Sequence, residues 1–354
     1  MKKVLLVDYY GTCDKEGRPI GHSSKVLNEY CQLLKESYQV SAAVSPCLLD
    51  SAKADFEKKY SLKYNIVADE NQSLPKRIAD KFKLLYNIHQ VLKRKEYDIL
   101  WFYRTDFFLF FYFALKLRKH PAKIIGQVYQ EEFAQGTVGK ILSAIYRKGS
   151  SKFDGLIYTQ KGMAAGHPHT LYIPDYYYDE DKYGRYRSVK KENKTVCLGT
   201  MNPYKKLEEL VDAFNKNGEK LEIKGYFYDK ERFSSLLKKK NDNILIEDRV
   251  LTEEEYYTAL SSAKYSVLPY DMNQYSNRTS GILQESLFMN MMIIAPKQLL
   301  EENGMEGIGY SDIEDLEDFQ TLVMKTASQK RNGLEEYDKE TVQKKLHIFL
   351  QQCR

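Results

Sequence analysis

Arg278, the Ser280-Gly281 pair and Glu285 stand at offsets that suit one ligand. The arginine can neutralise a phosphate, and a helix opening at the small pair would aim its free N–H groups at the same anion. One turn further in, a carboxylate can accept hydrogen bonds from a sugar's hydroxyls. Phosphate and sugar side by side point to a nucleotide. A second set lies upstream, where an apolar run ends at Gly199 and Thr200 and Lys205 stands beside a helical stretch. A lysine there would complement a diphosphate, and Arg278 could reach the same anion. A solvated helix start is the competing reading for Lys205.

Such residues need a frame, and the chain supplies one. Short apolar runs alternate with helical stretches from end to end, the pattern of a parallel sheet with crossover helices. In the first half, strands are expected at Val4–Val7, Val40–Val44, Tyr64–Val67, Ile99–Tyr103, Ile124–Val128 and Leu156–Tyr158. A second series runs through Val196–Leu198, Leu221–Ile223, Ile244–Ile246, Tyr265–Leu268 and Met292–Ala295. The polar, aperiodic stretch Pro174–Lys194 is expected to link them. The fold class is therefore α/β, with two doubly wound Rossmann-like domains facing across a cleft. Their expected bounds are 1–180 and 181–334, with a last helical segment, 335–354, that can cross back to the first domain.

Composition narrows the classes. The chain has 354 residues and a net charge of +5, too mild to indicate a nucleic-acid binder. Five scattered cysteines fit a reducing cytoplasm better than a disulfide framework. The apolar run Phe107–Leu115, bounded by Lys116, Arg118 and Lys119, is shorter than the roughly 20 residues a bilayer demands. It is expected to pack on a sheet. Resting on a membrane surface is the rival reading, shared by the stretch from Lys140 to Lys148. His167-Pro-His169 has no ligand set at metal spacing around it, so no metal is expected.

In the first half, the glycines of the loop after the first strand, Gly11, Gly17 and Gly21, are too widely spaced for a dinucleotide fingerprint. His22 is read equally as an acid-base or acceptor-binding group and as a helix-start histidine. Asp106, after the fourth strand, could take a proton from an acceptor hydroxyl or cap the following helix.

The ordered set in residues 195–310 resembles the nucleotide-sugar glycosyltransferases of the GT-B fold, in particular the retaining Glu-x7-Glu group of bacterial polysaccharide and glycolipid synthases. Gly199, Lys205, Leu210, Val211 and Ala213 match the opening of that group's second domain, and Leu221 to Gly225 match its next strand. Glu253 to Tyr256 and the run ending Pro269-Tyr270 follow in order. Glu285 matches the second acid of the signature, which in the family holds the ribose; Asn277 stands where the first acid, a donor-sugar contact, is expected. The family often places a histidine after the fifth strand of its first domain, where this chain has Glu131 and Glu132.

The resemblance implies a hexosyltransferase-like enzyme acting on a nucleotide diphosphate sugar, without metal or other cofactor and with retention. Lys205, Arg278, Ser280 and Gly281 would meet the diphosphate, Glu285 the ribose and Asn277 the sugar. Gly21, Gly199, Thr200, Gly225 and Tyr270 would line the cleft, with Asp106, His22 or Glu131 serving the chemistry. It further implies a saccharide or lipid-linked saccharide acceptor, at the inner face of a membrane. A sugar-nucleotide epimerase or hydrolase and a non-catalytic nucleotide-sugar-binding partner are the alternatives on the same fold.

Overall fold

The computed structural model describes residues 1–14, 17–19, 23–67, 73–116, 120–129, 136–160, 167–275, 280–326 and 333–353. They form two compact units, Met1–Pro174 with Glu340–Arg354, and Asp175–Lys339. Gly21, His22, Glu131, Asn277 and Arg278 lie outside the described residues.

The first unit is a parallel sheet wrapped by helices. Its elements are β1 (Lys2–Asp8), β2 (Thr12–Cys13), α1 (Ser23–Leu34), β3 (Tyr38–Val44), β4 (Lys59–Ser61), β5 (Ile66–Val67), α2 (Leu74–Leu92) and β6 (Ile99–Phe102). They continue with α3 (Phe107–Leu115), β7 (Lys123–Val128), α4 (Gly136–Ser150), β8 (Gly155–Tyr158) and β9 (Thr170–Tyr172). The sheet order is β4-β3-β1-β6-β7-β8-β9 with every pair parallel, so the central strands are buried on both faces. That is why they are near-continuous apolar runs without alternation.

In the second unit the elements are α5 (Glu180–Arg187), β10 (Glu192–Leu198), α6 (Leu207–Asn217), β11 (Leu221–Gly225), α7 (Lys230–Lys239), β12 (Ile244–Asp248) and α8 (Glu253–Ser262). After them come β13 (Ala263–Val267), α9 (Met272–Tyr275), α10 (Gly281–Phe288), β14 (Met292–Pro296), α11 (Lys297–Asn303), β15 (Ile308–Tyr310) and α12 (Phe319–Thr326). Here the parallel order is β12-β11-β10-β13-β14-β15, the 3-2-1-4-5-6 arrangement of Rossmann folds. The last helix, α13 (Lys339–Gln352), belongs almost wholly to the first unit, where Gln343 donates to the Leu33 carbonyl at 3.0 Å.

Four strands escape the sequence reading, β2, β4, β9 and β15. β4 replaces the expected Tyr64–Val67 as the edge of the first sheet; only Ile66–Val67 is extended, paired with β2 in a separate ribbon. β4, β9 and β15 are three-residue edge strands, and β4 and β9 have no buried face to leave an apolar signature. The expected linker is also corrected. Tyr176, Tyr177, Tyr178, Tyr183 and Tyr186 are all buried in the second unit, with Tyr183 packed on Phe288 at 5.3 Å and on Tyr257 at 5.4 Å. Tyrosine rings supply apolar bodies that acidic neighbours disguise in the sequence, and burying each such ring contributes about 2 kcal/mol.

The run Phe107–Leu115 forms α3, whose buried side carries Leu109, Phe110 and Phe113. Phe110 meets Tyr146 of α4 at 4.4 Å and Phe153 at 5.2 Å, so this face is core. No helix among the described residues is long and apolar enough to cross a membrane.

Candidate functional site

The strand order of the second unit reverses between β10 and β13, and a crevice opens outside the carboxyl ends of strands at such a switch point. The loops leaving these two strands carry most of the residues singled out in this half. They are sewn together: Lys205 and Tyr270 pair as an antiparallel bridge, the Lys206 N–H donates to the Pro269 carbonyl at 2.7 Å, and that of Asp271 to Tyr204 at 2.8 Å. Below them Arg232, on a helix capped by Asp229, grips Glu208 with two bonds of 2.6 and 2.5 Å. The same guanidinium donates to the carbonyls of Asn202 at 3.0 Å and Lys205 at 2.6 Å, which fixes the loop from beneath.

Gly199 and Gly225 end adjacent strands. A side chain at Gly225, where φ is +158°, would place Cβ 1.7 Å from the Gly199 carbonyl oxygen, so only glycine permits this approach. Thr200, the next residue after Gly199, is exposed.

Lys205 is only 3% exposed, which rules out the solvated helix start. Its Nζ donates to the Leu198 carbonyl at 2.8 Å and lies 5.9 Å from the centre of the Tyr270 ring. Burial lowers its pKa, with the neighbouring Cys197 opposing. An ammonium has three donors, so one carbonyl does not exhaust it. Tyr270 stacks on Tyr275 with centroids 4.0 Å apart, and its hydroxyl meets Ser280 Oγ at 3.3 Å. Ser280 occupies the N-cap position of α10 without its hydroxyl bonding to the helix. Gly281 follows beneath the Tyr176 ring, where an added Cβ would come within 2.3 Å of Tyr176 Cε2. Tyr176 is itself tied to α10, because its N–H donates to Gln284 Oε1 at 2.7 Å.

Glu285, one turn into α10, is 5% exposed. Two consecutive tyrosines of α8 donate to it, Tyr256 to Oε2 at 2.7 Å and Tyr257 to Oε1 at 2.9 Å. Burial, then Glu285 itself, raises both phenol pKa values, so both hydroxyls remain protonated donors. Ser280 and Glu285 stand on the same helix, α10, which joins the Lys205–Tyr270–Ser280 group to the Glu285 group. The sequence reading missed Tyr256 and Tyr257 as partners of Glu285, and missed Arg232. Contacts across 28, 29 and 27 residues leave no local periodic signal.

The first unit has its own switch point, between β1 and β6. Asp8 at the end of β1 is fully buried; Oδ1 accepts from the N–H groups of Tyr10 at 3.0 Å and Gly11 at 2.9 Å, and Oδ2 from the Tyr103 hydroxyl at 3.1 Å. Asp106 is the N-cap of α3, accepting from the Leu109 N–H at 3.0 Å and from the Tyr9 hydroxyl at 2.6 Å, both through Oδ1. Arg104 stacks on Tyr10 with its guanidinium carbon 4.6 Å from the ring centre. His167 bonds the carbonyl of His169 at 2.9 Å through Nδ1. Among the described residues no group of three or more histidine, cysteine or acidic side chains is placed to hold a metal ion.

This architecture has relatives among solved structures. HepE of Anabaena, crystallised with UDP and glucose, superposes with a TM-score of 0.67 at 12% identity, over 99% of this chain and 100% of that one. AviGT4, a glycosyltransferase involved in avilamycin A biosynthesis, gives 0.61 at 13% identity over 99% and 98%. A trehalose 6-phosphate synthase from Burkholderia multivorans gives 0.62 at 10% over 99% and 98%. The fold is GT-B. At these identities the GT-B likeness speaks for the fold alone. No family model matches the sequence, and no curated protein sequence matches it.

Proposed function

We propose that the chain is a glycosyltransferase that moves a sugar from a nucleotide diphosphate sugar to an acceptor hydroxyl, with residues 175–339 holding the donor. The observation that carries this reading is Glu285, a nearly buried carboxylate with two fixed phenol donors, one turn inside a helix whose start adjoins Lys205. A carboxylate at this place in the helix suits the two hydroxyls of a ribose. The α10 N–H groups, Lys205 and Arg278 would take the diphosphate, and Asn277 would hydrogen-bond the sugar. GT-B neighbours crystallised with UDP, or with UDP-2-fluoroglucose, support a nucleotide donor here.

The reaction breaks the bond between the sugar's anomeric carbon and the β-phosphate oxygen, and forms one to the acceptor oxygen. Negative charge grows on the departing diphosphate. Positioned cations and helix N–H groups stabilise that charge most where water is excluded. With those groups supplying the charge, the reaction proceeds without a metal; retention of the anomeric configuration is what the resemblance of residues 195–310 to the retaining group implies. The acceptor's proton needs a base, for which the candidates are Asp106 through Oδ2, His22 and Glu131. The acceptor is a saccharide or lipid-linked saccharide of the cell surface.

Incubation with labelled nucleotide sugars, with and without saccharide acceptors, tests the reading. Label transferred only when an acceptor is present supports it. A sugar isomerised without acceptor would replace it with an epimerase, and binding without any conversion would leave a nucleotide-sugar-binding partner.

A further inference from the structure

We propose that helix α2 docks the first unit on an anionic lipid surface. Leu74, Ile78, Phe82 and Tyr86 recur every four residues along this helix, and they are 70%, 50%, 68% and 42% exposed. Residues at that spacing lie on one side of a helix, so they form a stripe spanning about 18 Å. A single exposed leucine means nothing, but four large apolar side chains in a row mark a contact surface. The inward side of α2 is ordinary core, with Leu84, Ile88, Val91 and Leu92 buried.

Charge selects the occupant. α2 carries Lys76, Arg77, Lys81 and Lys83 against one acid, Asp80, which is buried and bonded by Lys83 at 2.7 Å. Two of the flanking ammonium groups lean on aromatic rings: Lys81 lies 4.2 Å from the centre of the Phe108 ring of α3, and Lys63 lies 5.2 Å from that of Tyr86. Apolar side chains flanked by long cationic ones match the boundary between acyl chains and anionic headgroups. A second copy of this chain fits poorly, because pairing the stripe with itself would set cations against cations. Helix α2 would lie in the plane of the membrane, and the exposed Leu115 of α3 and Ile141 of α4 belong to neighbouring helices of the same unit.

Nothing in this inference depends on the nucleotide site, since every residue named is in the first unit. The test is flotation of the full chain with vesicles of phosphatidylcholine alone or enriched in phosphatidylglycerol. The wild type should float with the anionic vesicles and be released by salt, because each cation near headgroups contributes on the order of fivefold in partitioning. Ile78→Ser with Phe82→Ser should weaken partitioning by about tenfold or more, while Val250→Ser, an exposed apolar residue of the second unit, should not. Lys76→Glu with Arg77→Glu should selectively abolish the preference for anionic vesicles. All these positions are exposed, and an unchanged melting curve would confirm that the variants fold. Failure of the wild type to float at low salt would overturn the proposal, as would equal flotation of the Ile78/Phe82 variant. So would a dimer in sedimentation that the same variant dissolves.

Discussion

Glu285→Ala is expected to destabilise the second unit even without ligand. The substitution removes the acceptor of two phenol donors, the buried Tyr257 and the half-buried Tyr256. Each hydrogen bond to the carboxylate contributes about 1–3 kcal/mol, so losing both costs roughly 2–6 kcal/mol. Removing the donors as well should recover most of this, because apolar replacement of both sides of a buried hydrogen bond is nearly neutral. The measurement is a cycle in urea over wild type, Glu285→Ala, Tyr256→Phe/Tyr257→Phe and the triple variant. The only tryptophan, Trp101, lies in the first unit, so its fluorescence isolates that unit's transition from the circular dichroism of both. The triple variant should be more stable than Glu285→Ala by about 2 kcal/mol or more. Losses that add to within about 0.5 kcal/mol would refute the hydrogen-bond account of how Glu285 is held.

Gly225→Ala should cost the second unit roughly 2–6 kcal/mol, combining left-handed strain with the clash on the Gly199 carbonyl. Gly218→Ala, also at positive φ but with open space around it, should cost only about 1–2 kcal/mol; equal losses in urea would contradict the close approach. Lys205 has a folded-state pKa below its unfolded value, so the unfolded chain binds more protons and stability rises with pH from the folded pKa towards about 10.4. Lys205→Met abolishes that contribution, so the melting temperature of wild type minus that of the variant should climb over this window; a flat difference would mean the ammonium is not desolvated. For Glu208, burial pushes the pKa up but the Arg232 bonds outweigh it, leaving it lowered. Its stabilisation should therefore be complete above about pH 4.3 and be lost on further acidification, and Glu208→Gln should flatten the acid limb of the melting profile.

The central strands and the two-domain α/β pattern were legible because parallel strands buried on both faces leave long apolar runs. Gly199, Lys205, Ser280, Gly281 and Glu285 were legible because they sit at fixed offsets from those strands. What lay hidden was tertiary. Pro174–Lys194 looks like a polar linker until its tyrosines are seen packed around Phe288. Tyr256 and Tyr257 look like the body of an acidic helix, and nothing local says that their hydroxyls meet a carboxylate 29 and 28 residues away. Lys205 looks like a surface lysine because burial of an ammonium depends on the loop above it, which Arg232 holds from a third element. The α2 stripe stayed unread for the opposite reason: on sequence alone, exposed apolar residues at helical spacing are indistinguishable from a core-facing side.

Titration calorimetry of the full chain with uridine, guanosine and adenosine diphosphates tests the nucleotide site most directly. At least one should bind, with affinity falling by about tenfold or more in Glu285→Ala and measurably in Lys205→Met. Binding that survives both substitutions unchanged, or no heat from any of the three, would contradict the assignment of this crevice to a nucleotide donor.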